Sequence, residues 1–110
     1  MKDWIAVCHM DEIAPDTGVC ATVNGEQVAV FRFADDTKVY AISNYDPFGK
    51  ANVLSRGIIG SVGQQRVVAS PLYKQHFDLE TGACLEDDQV CLKTYSTRIE
   101  GGMVELNAIQ

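Results

Sequence analysis

The sequence has little of what builds most readily recognised sites. It holds one tryptophan and three prolines in 110 residues, and its four cysteines (Cys8, Cys20, Cys84, Cys91) include no C-x-x-C pair. The two histidines, His9 and His76, are not spaced as a finger pair, so neither a zinc site nor a dithiol redox motif is written in the chain. There is no glycine-rich nucleotide fingerprint. No run approaches the roughly 20 apolar residues of a membrane-spanning helix. Met1-Lys2-Asp3-Trp4 lacks the basic region and apolar stretch of a signal peptide. Basic residues are few and scattered, 9 against 15 acidic ones, for a net charge of -6. Phosphate backbones are held by clustered Lys and Arg, so neither nucleic acid nor a membrane is an expected partner. The expectation is one soluble cytoplasmic domain over residues 1–110.

What is present is a core-forming composition, 46% hydrophobic and 22% charged. A chain of this size buries roughly 65% of its unfolded surface, enough for one core and not two. Cys20 and Cys91 sit in apolar runs and read as small buried hydrophobes, their thiols kept reduced in a cytosol. Cys8-His9 is an adjacent pair with no third group to orient it. The acidic clusters Asp11-Glu12, Asp35-Asp36 and Glu86-Asp87-Asp88 read as solvated loops, the last also suited to steering a basic partner.

Short strands broken by turns run through the chain. Gly18 to Val23 and Gln27 to Phe33 flank Asn24-Gly25, a strong hairpin signal because a type I′ turn needs positive φ at both central residues. Lys38 to Ile42 follows as a further strand, then Arg66 to Ala69 as a buried one. His76 to Leu79 turns back through Glu80-Thr81-Gly82 towards Ala83-Cys84-Leu85. Leu92 to Ile99 reads as one strand, and Glu100-Gly101-Gly102 turns it into Met103 to Leu106. Helical signal is limited to one turn near Asp11–Ala14, stopped by Pro15, and one near Asn52–Ser55. The expected fold is all-β, a meander of antiparallel strands. Two stretches break the pattern: Ser43 to Ser61, largely without alternation, and Ser70 to Gln75. Long aromatic-bearing loops in a small domain are where function is sought.

Side by side, these loops resemble a known family. Ala41-Ile42-Ser43-Asn44-Tyr45-Asp46-Pro47-Phe48 resembles the first ligand loop of a Rieske domain, with Cys-Pro-His expected at Asp46-Pro47-Phe48. Val68-Ala69-Ser70-Pro71-Leu72-Tyr73 resembles the second, with Cys-Pro-Leu-His expected at Ser70 to Tyr73, and His76 to Gly82 resembles the segment that follows it. The resemblance implies an all-β Rieske-like domain of stacked sheets or a partial barrel. It would carry one or two short helical turns, with ligand-loop equivalents at about 43–57 and 69–76. A Rieske centre takes two thiolates and two imidazoles. The four slots here hold Asp46, Phe48, Ser70 and Tyr73. Phe48 has no donor atom, Ser70 and Tyr73 would have to ionise, and Asp46 is a hard oxygen ligand. No metal, cofactor or catalytic residue is expected in this chain.

A Rieske-like chain without those ligands resembles the small subunits of the cytoplasmic NADH-dependent nitrite reductases. Val53-Leu54-Ser55-Arg56-Gly57, Ala69-Ser70-Pro71-Leu72 and the opening Trp4…Asp11-Glu12-Ile13 carry this likeness. It implies a non-catalytic accessory subunit, needed by a large subunit that bears FAD, siroheme and a four-iron four-sulfur cluster and reduces nitrite to ammonium. The loops would then meet the large subunit, with Phe48, Leu72 and Tyr73 as apolar anchors and Arg56 and Lys74 at the rim. Alternatively, Phe48 and Tyr73 fold inward and fill space. Asp46, Ser70 and Tyr73 would hydrogen-bond each other or nearby N–H groups, tying the loops together. Two other readings stay open: a ferredoxin whose cluster recruits Cys8 or Cys84, and a binding module for another oxidoreductase.

Overall fold

Residues 4–107, which the computed structural model describes, form strands β1 (Trp4–His9), β2 (Thr17–Val23), β3 (Glu26–Arg32), β4 (Val39–Ser43), β5 (Tyr45–Asp46) and β6 (Ala51–Asn52). They continue with β7 (Ile58–Val62), β8 (Gln65–Ala69), β9 (His76–Asp78), β10 (Thr94–Tyr95), β11 (Thr97–Glu100) and β12 (Met103–Asn107). Single 3₁₀ turns at Met10–Glu12 and Leu54–Arg56 are the helical elements among these residues. The expected all-β fold with one or two short helical turns is what forms.

The sheets are β1-β12-β11, β10-β4-β3-β2, the small pair β5-β6, and β7-β8-β9. All pairings are antiparallel. The central strands β3 and β4 explain the layering. Side chains alternate across a strand, and on β3 the alternate residues Ala29 and Phe31 enter one core while Val28 and Val30 enter another. On β4, Tyr40 and Ile42 join the first core, and Val39 and Ala41 the second. A strand covered on both faces reads as a continuous apolar run, as Val28-Ala29-Val30-Phe31 does. The first core also holds Leu54, Val68, Phe77 and Leu79, and the second Ile13, Tyr95, Val104 and Leu106. The central sheet therefore lies between two others.

The β2–β3 hairpin forms around Asn24 and Gly25, at φ 51° and 81°, with Val23 opposite Glu26. Four expectations need correction. Leu92 to Ile99 is not one strand: it changes sheets at Ser96, whose carbonyl accepts from Asn107 N at 2.9 Å. Thr94–Tyr95 pairs with β4, and Thr97–Glu100 with β12. Composition favours the extended state without saying which neighbour a strand takes. The supposed long loop to Ser61 contains β7, whose Ile58 and Val62 are exposed, so no period-2 apolar face announces it. The meander is incomplete, because Trp4 to His9 forms a strand against the chain's last one. Cys20 and Cys91 are exposed rather than buried. Cys20 lies on edge strand β2, where Val23 points in and Cys20 out, and Cys91 precedes the buried Leu92.

Candidate functional site at two prolyl loops

The loops carried by the β5–β6 hairpin and by the β8–β9 connection are built on one plan. In the first, Asp46 precedes Pro47, whose ring sets φ for the turn. Asp46 Oδ1 accepts from Phe48 N at 2.9 Å and from Gly49 N at 3.2 Å. The Asp46 carbonyl accepts from Lys50 N at 2.7 Å, which leaves Lys50 at φ 56°. In the second, Ser70 precedes Pro71, and Ser70 Oγ accepts from Leu72 N at 3.2 Å. The Ser70 carbonyl accepts from Lys74 N at 3.1 Å, and Lys74 stands at φ 67°. An acceptor side chain, a proline, an apolar residue and a left-handed lysine recur at the same offsets.

The two loops are fastened to each other at their bases. Asp46 and Ser70 are both fully buried, and the Ser70 hydroxyl donates to Asp46 Oδ2. Buried polar groups persist when their hydrogen bonds are met; here one carboxylate takes two backbone N–H groups and one hydroxyl. Farther out, Gly49 backs onto Leu72 so closely that a Cβ there would overlap the leucine Cδ1. Tyr73 takes no part in this tie. It is 64% exposed and Leu72 46%, whereas Phe48 is half-buried against the first core, its ring 6.2 Å from that of Phe77. The structure thus separates the two aromatic residues that the sequence treats alike. Arg56 and Lys74 are exposed.

Asn44 is the positioning residue that sequence reasoning passes over. It is buried, its Nδ2 donates to Gln27 Oε1 at 3.1 Å, and its Oδ1 accepts from Ser55 N at 2.7 Å. Its carbonyl accepts from Leu54 N at 3.1 Å, so one amide joins both ends of the first loop to β3. An asparagine at the boundary between an alternating and a non-alternating stretch was the available signal. Beyond the second loop, Glu86 Oε1 accepts from His76 N, and Oε2 lies 2.7 Å from His76 Nδ1. Burial alone would raise the Glu86 carboxyl, but the His76 N–H and ring together hold it below the usual carboxylate range.

The donor set does not fit a two-iron cluster. Of the four slots, Asp46 and Ser70 are engaged with each other, Phe48 packs inward and Tyr73 points out. Among the described residues no three His, Cys, Asp or Glu side chains converge as a metal site. The cysteines do not compensate: Cys84 lies in the first core and Cys8 packs against the second. Burial pushes both thiols up, away from the thiolate a metal requires. His9 is used otherwise, its Nδ1 capping the Met10–Glu12 turn through Asp11 N at 3.1 Å. Clefts of about 400 and 410 Å³ flank β10, and their charged groups are paired, Lys38 with Glu80 and Lys93 with Glu26.

Two Pro-bearing loops closed on each other beside a stack of antiparallel sheets define a Rieske-type domain. Residues 3–107 match the Rieske-like [2Fe-2S] domain family. The chain is 50% identical over 106 residues to the nitrite reductase (NADH) small subunit of Salmonella typhimurium, covering 96% of this chain and 98% of that one. The NMR structure of the Escherichia coli protein NirD superposes with a TM-score of 0.91 at 46% identity, over the whole of both chains. The chain belongs to the Rieske-like domain family, in the branch of the NADH nitrite reductase small subunits. A nitrite reductase [NAD(P)H] large subunit from Klebsiella oxytoca is also similar, at 38% identity over 103 residues: 94% of this chain but 11% of that much longer one.

Proposed function

We propose that this chain is the cytoplasmic, non-catalytic small subunit of an NADH-dependent nitrite reductase, and that it works without an iron–sulfur cluster. Its partner is the large subunit, on which the resemblance implies FAD, siroheme and a four-iron four-sulfur cluster reducing nitrite to ammonium. The observation that carries this reading is the Asp46–Ser70 tie. Where a Rieske domain presents ligands, this chain presents a closed hydrogen-bonded latch that fastens the two loops at their buried bases and leaves Leu72 and Tyr73 exposed. The Klebsiella relative supports the pairing, since a domain of this kind stands there within a large-subunit chain. Covalent linkage of two components raises the effective concentration of one at the other. Leu72 and Tyr73 are the exposed anchors of the docking face, and Arg56 and Lys74 its rim. Phe48 supports that face from beneath.

The test is an iron assay and visible spectrum on the purified chain, then nitrite-dependent NADH oxidation by the large subunit with and without it. A colourless, iron-free protein, inactive alone and restoring turnover to its partner, is the expected result. Two irons per chain and a reduced-state EPR signal would replace this reading with that of an electron carrier.

A further inference from the structure

The cations of this protein are divided in a way the net charge hides. Lys38, Arg66, Lys93 and Arg98 each pair with a carboxylate, at 3.2, 2.7, 3.0 and 2.6 Å. Arg32 donates to the carbonyls of Met10 and Ile13. The remaining described cations are Lys50, Arg56 and Lys74, whose side chains have no partner among the described residues; Lys50 and Lys74 lie on the two prolyl loops, and Arg56 on the 3₁₀ turn that follows the first. Lys50 and Lys74 occupy equivalent places on the repeated plan, each just outside the Gly49–Leu72 contact and each exposed. Arg56 precedes Gly57, which abuts the carbonyl of Ala69 at the root of the second loop. Both lysines are held at positive φ, a conformation that costs any residue but glycine. In a chain of net charge -6, the unpaired cations among the described residues thus include one on each prolyl loop, Lys50 beside Gly49 and Lys74 beside the exposed Leu72 and Tyr73, with Arg56 nearer the loops' root.

We propose that the loop end is an electropositive docking face, and that its occupant is an apolar socket rimmed by carboxylates on the large subunit. The inference rests on the docking reading above and adds the partner's chemistry. Unpaired cations on the same loops as exposed apolar residues match the general layout of an interface, with anchors inside and charge at the rim. Rim charge acts mainly on the association rate and on its salt dependence. The acidic turn at Glu86 to Asp88 stands beside the second loop through Glu86 and His76, so the face is polar in sign and favours one orientation of docking. A second copy of this chain is the less favoured occupant, because two bodies of charge -6 repel at long range.

The experiment measures binding of the full chain to the purified large subunit as a function of ionic strength. It compares the native chain, the triple variant Lys50→Gln/Arg56→Gln/Lys74→Gln, the control Lys38→Gln/Lys93→Gln, and Tyr73→Ala. The triple variant is expected to associate about tenfold more slowly at low salt, the gap closing as salt screens the rim, with the control near native. Tyr73→Ala is expected to weaken binding while keeping the native salt slope. If the triple variant keeps the native rate and slope while Tyr73→Ala weakens binding, the acidic socket is refuted and the docking face stands. If neither variant alters binding, the docking face itself is refuted. Salt-sensitive self-association of the native chain, lost in the triple variant, would also overturn the proposal by naming a second copy as the occupant.

Discussion

The Asp46–Ser70 latch makes a quantitative claim. Ser70→Ala removes a hydroxyl that donates to a fully buried carboxylate and accepts from Leu72 N. Hydrogen bonds to charged groups contribute roughly 1.5–3 kcal/mol, and an orphaned buried acceptor sits at the upper part of that range. The expected loss is therefore about 2–3 kcal/mol, and at about 4 °C per kcal/mol for a domain this size, a fall in Tm of about 8–12 °C. Asp46→Asn is milder, about 1–2 kcal/mol, because its amide oxygen still receives the Phe48 and Gly49 N–H groups and the Ser70 hydroxyl can rotate to accept. The double variant is expected to cost less than the sum, with a coupling of about 1 kcal/mol or more. Urea unfolding at constant m-value reads all three differences. A Ser70→Ala cost below about 0.5 kcal/mol with no coupling would refute the latch as what holds the loops together.

Phe48→Ala is expected to destabilise the fold by about 2–3 kcal/mol through lost packing on Phe77, below the full cost of a wholly buried ring. Tyr73→Ala should stay within about 0.5 kcal/mol of native stability while weakening association with the large subunit at least about tenfold; chemical unfolding and binding separate the two. Gly57→Ala would drive a Cβ into the Ala69 carbonyl oxygen, where backbone cannot yield cheaply, and is expected to cost about 2–3 kcal/mol in the same unfolding assay. Burial and a 2.8 Å bond donated to Asp36 push the Tyr40 phenol up to about 12. Because the neutral phenol is the favoured form, its contribution is whole below about pH 10 and is lost as pH rises towards the folded value. The same bond leads the causes that hold the Asp36 carboxyl low, so its contribution is present above the usual carboxylate range and lost on acidification through the lowered value. Tyr40→Phe should lessen the alkaline loss by Tyr40's share, leaving that of the likewise raised Tyr95, Cys8 and Cys84, measured as stability against pH beside tyrosinate absorbance.

The all-β class was legible because β3 and β4 carry apolar runs bounded by turn residues, and Asn24-Gly25 marks a hairpin by its need for positive φ. Strand β7 was not, since its partner β8 supplies the burial and its own Ile58 and Val62 face water. Nor was the sheet change at Ser96, which is decided by neighbours distant in sequence. At the site, the four Rieske slots were readable from Pro47 and Pro71, and so was the prospect that Asp46 and Ser70 tie the loops. Which of Phe48 and Tyr73 faces inward was not, because both are aromatic residues beside a proline turn, and only the position of Phe77 distinguishes them. The unpaired state of Lys50, Arg56 and Lys74 lay beyond the sequence altogether. Pairing depends on where Glu80, Asp35, Glu26 and Glu105 fall in space.

The β1–β12 pairing places Trp4 opposite Asn107. Backbone enters and leaves this domain at adjacent points on one ladder, so a host chain can accept it as a graft without a long linker to span its width. A module of this shape can sit within a longer chain, where the similar stretch of the Klebsiella oxytoca large subunit makes up 11% of the length. The same adjacency makes a circular permutant of residues 4–107 feasible, Asn107 joined to Trp4 by a short bridge and the new ends cut at the exposed Gly63-Gln64 turn, with every strand pairing retained.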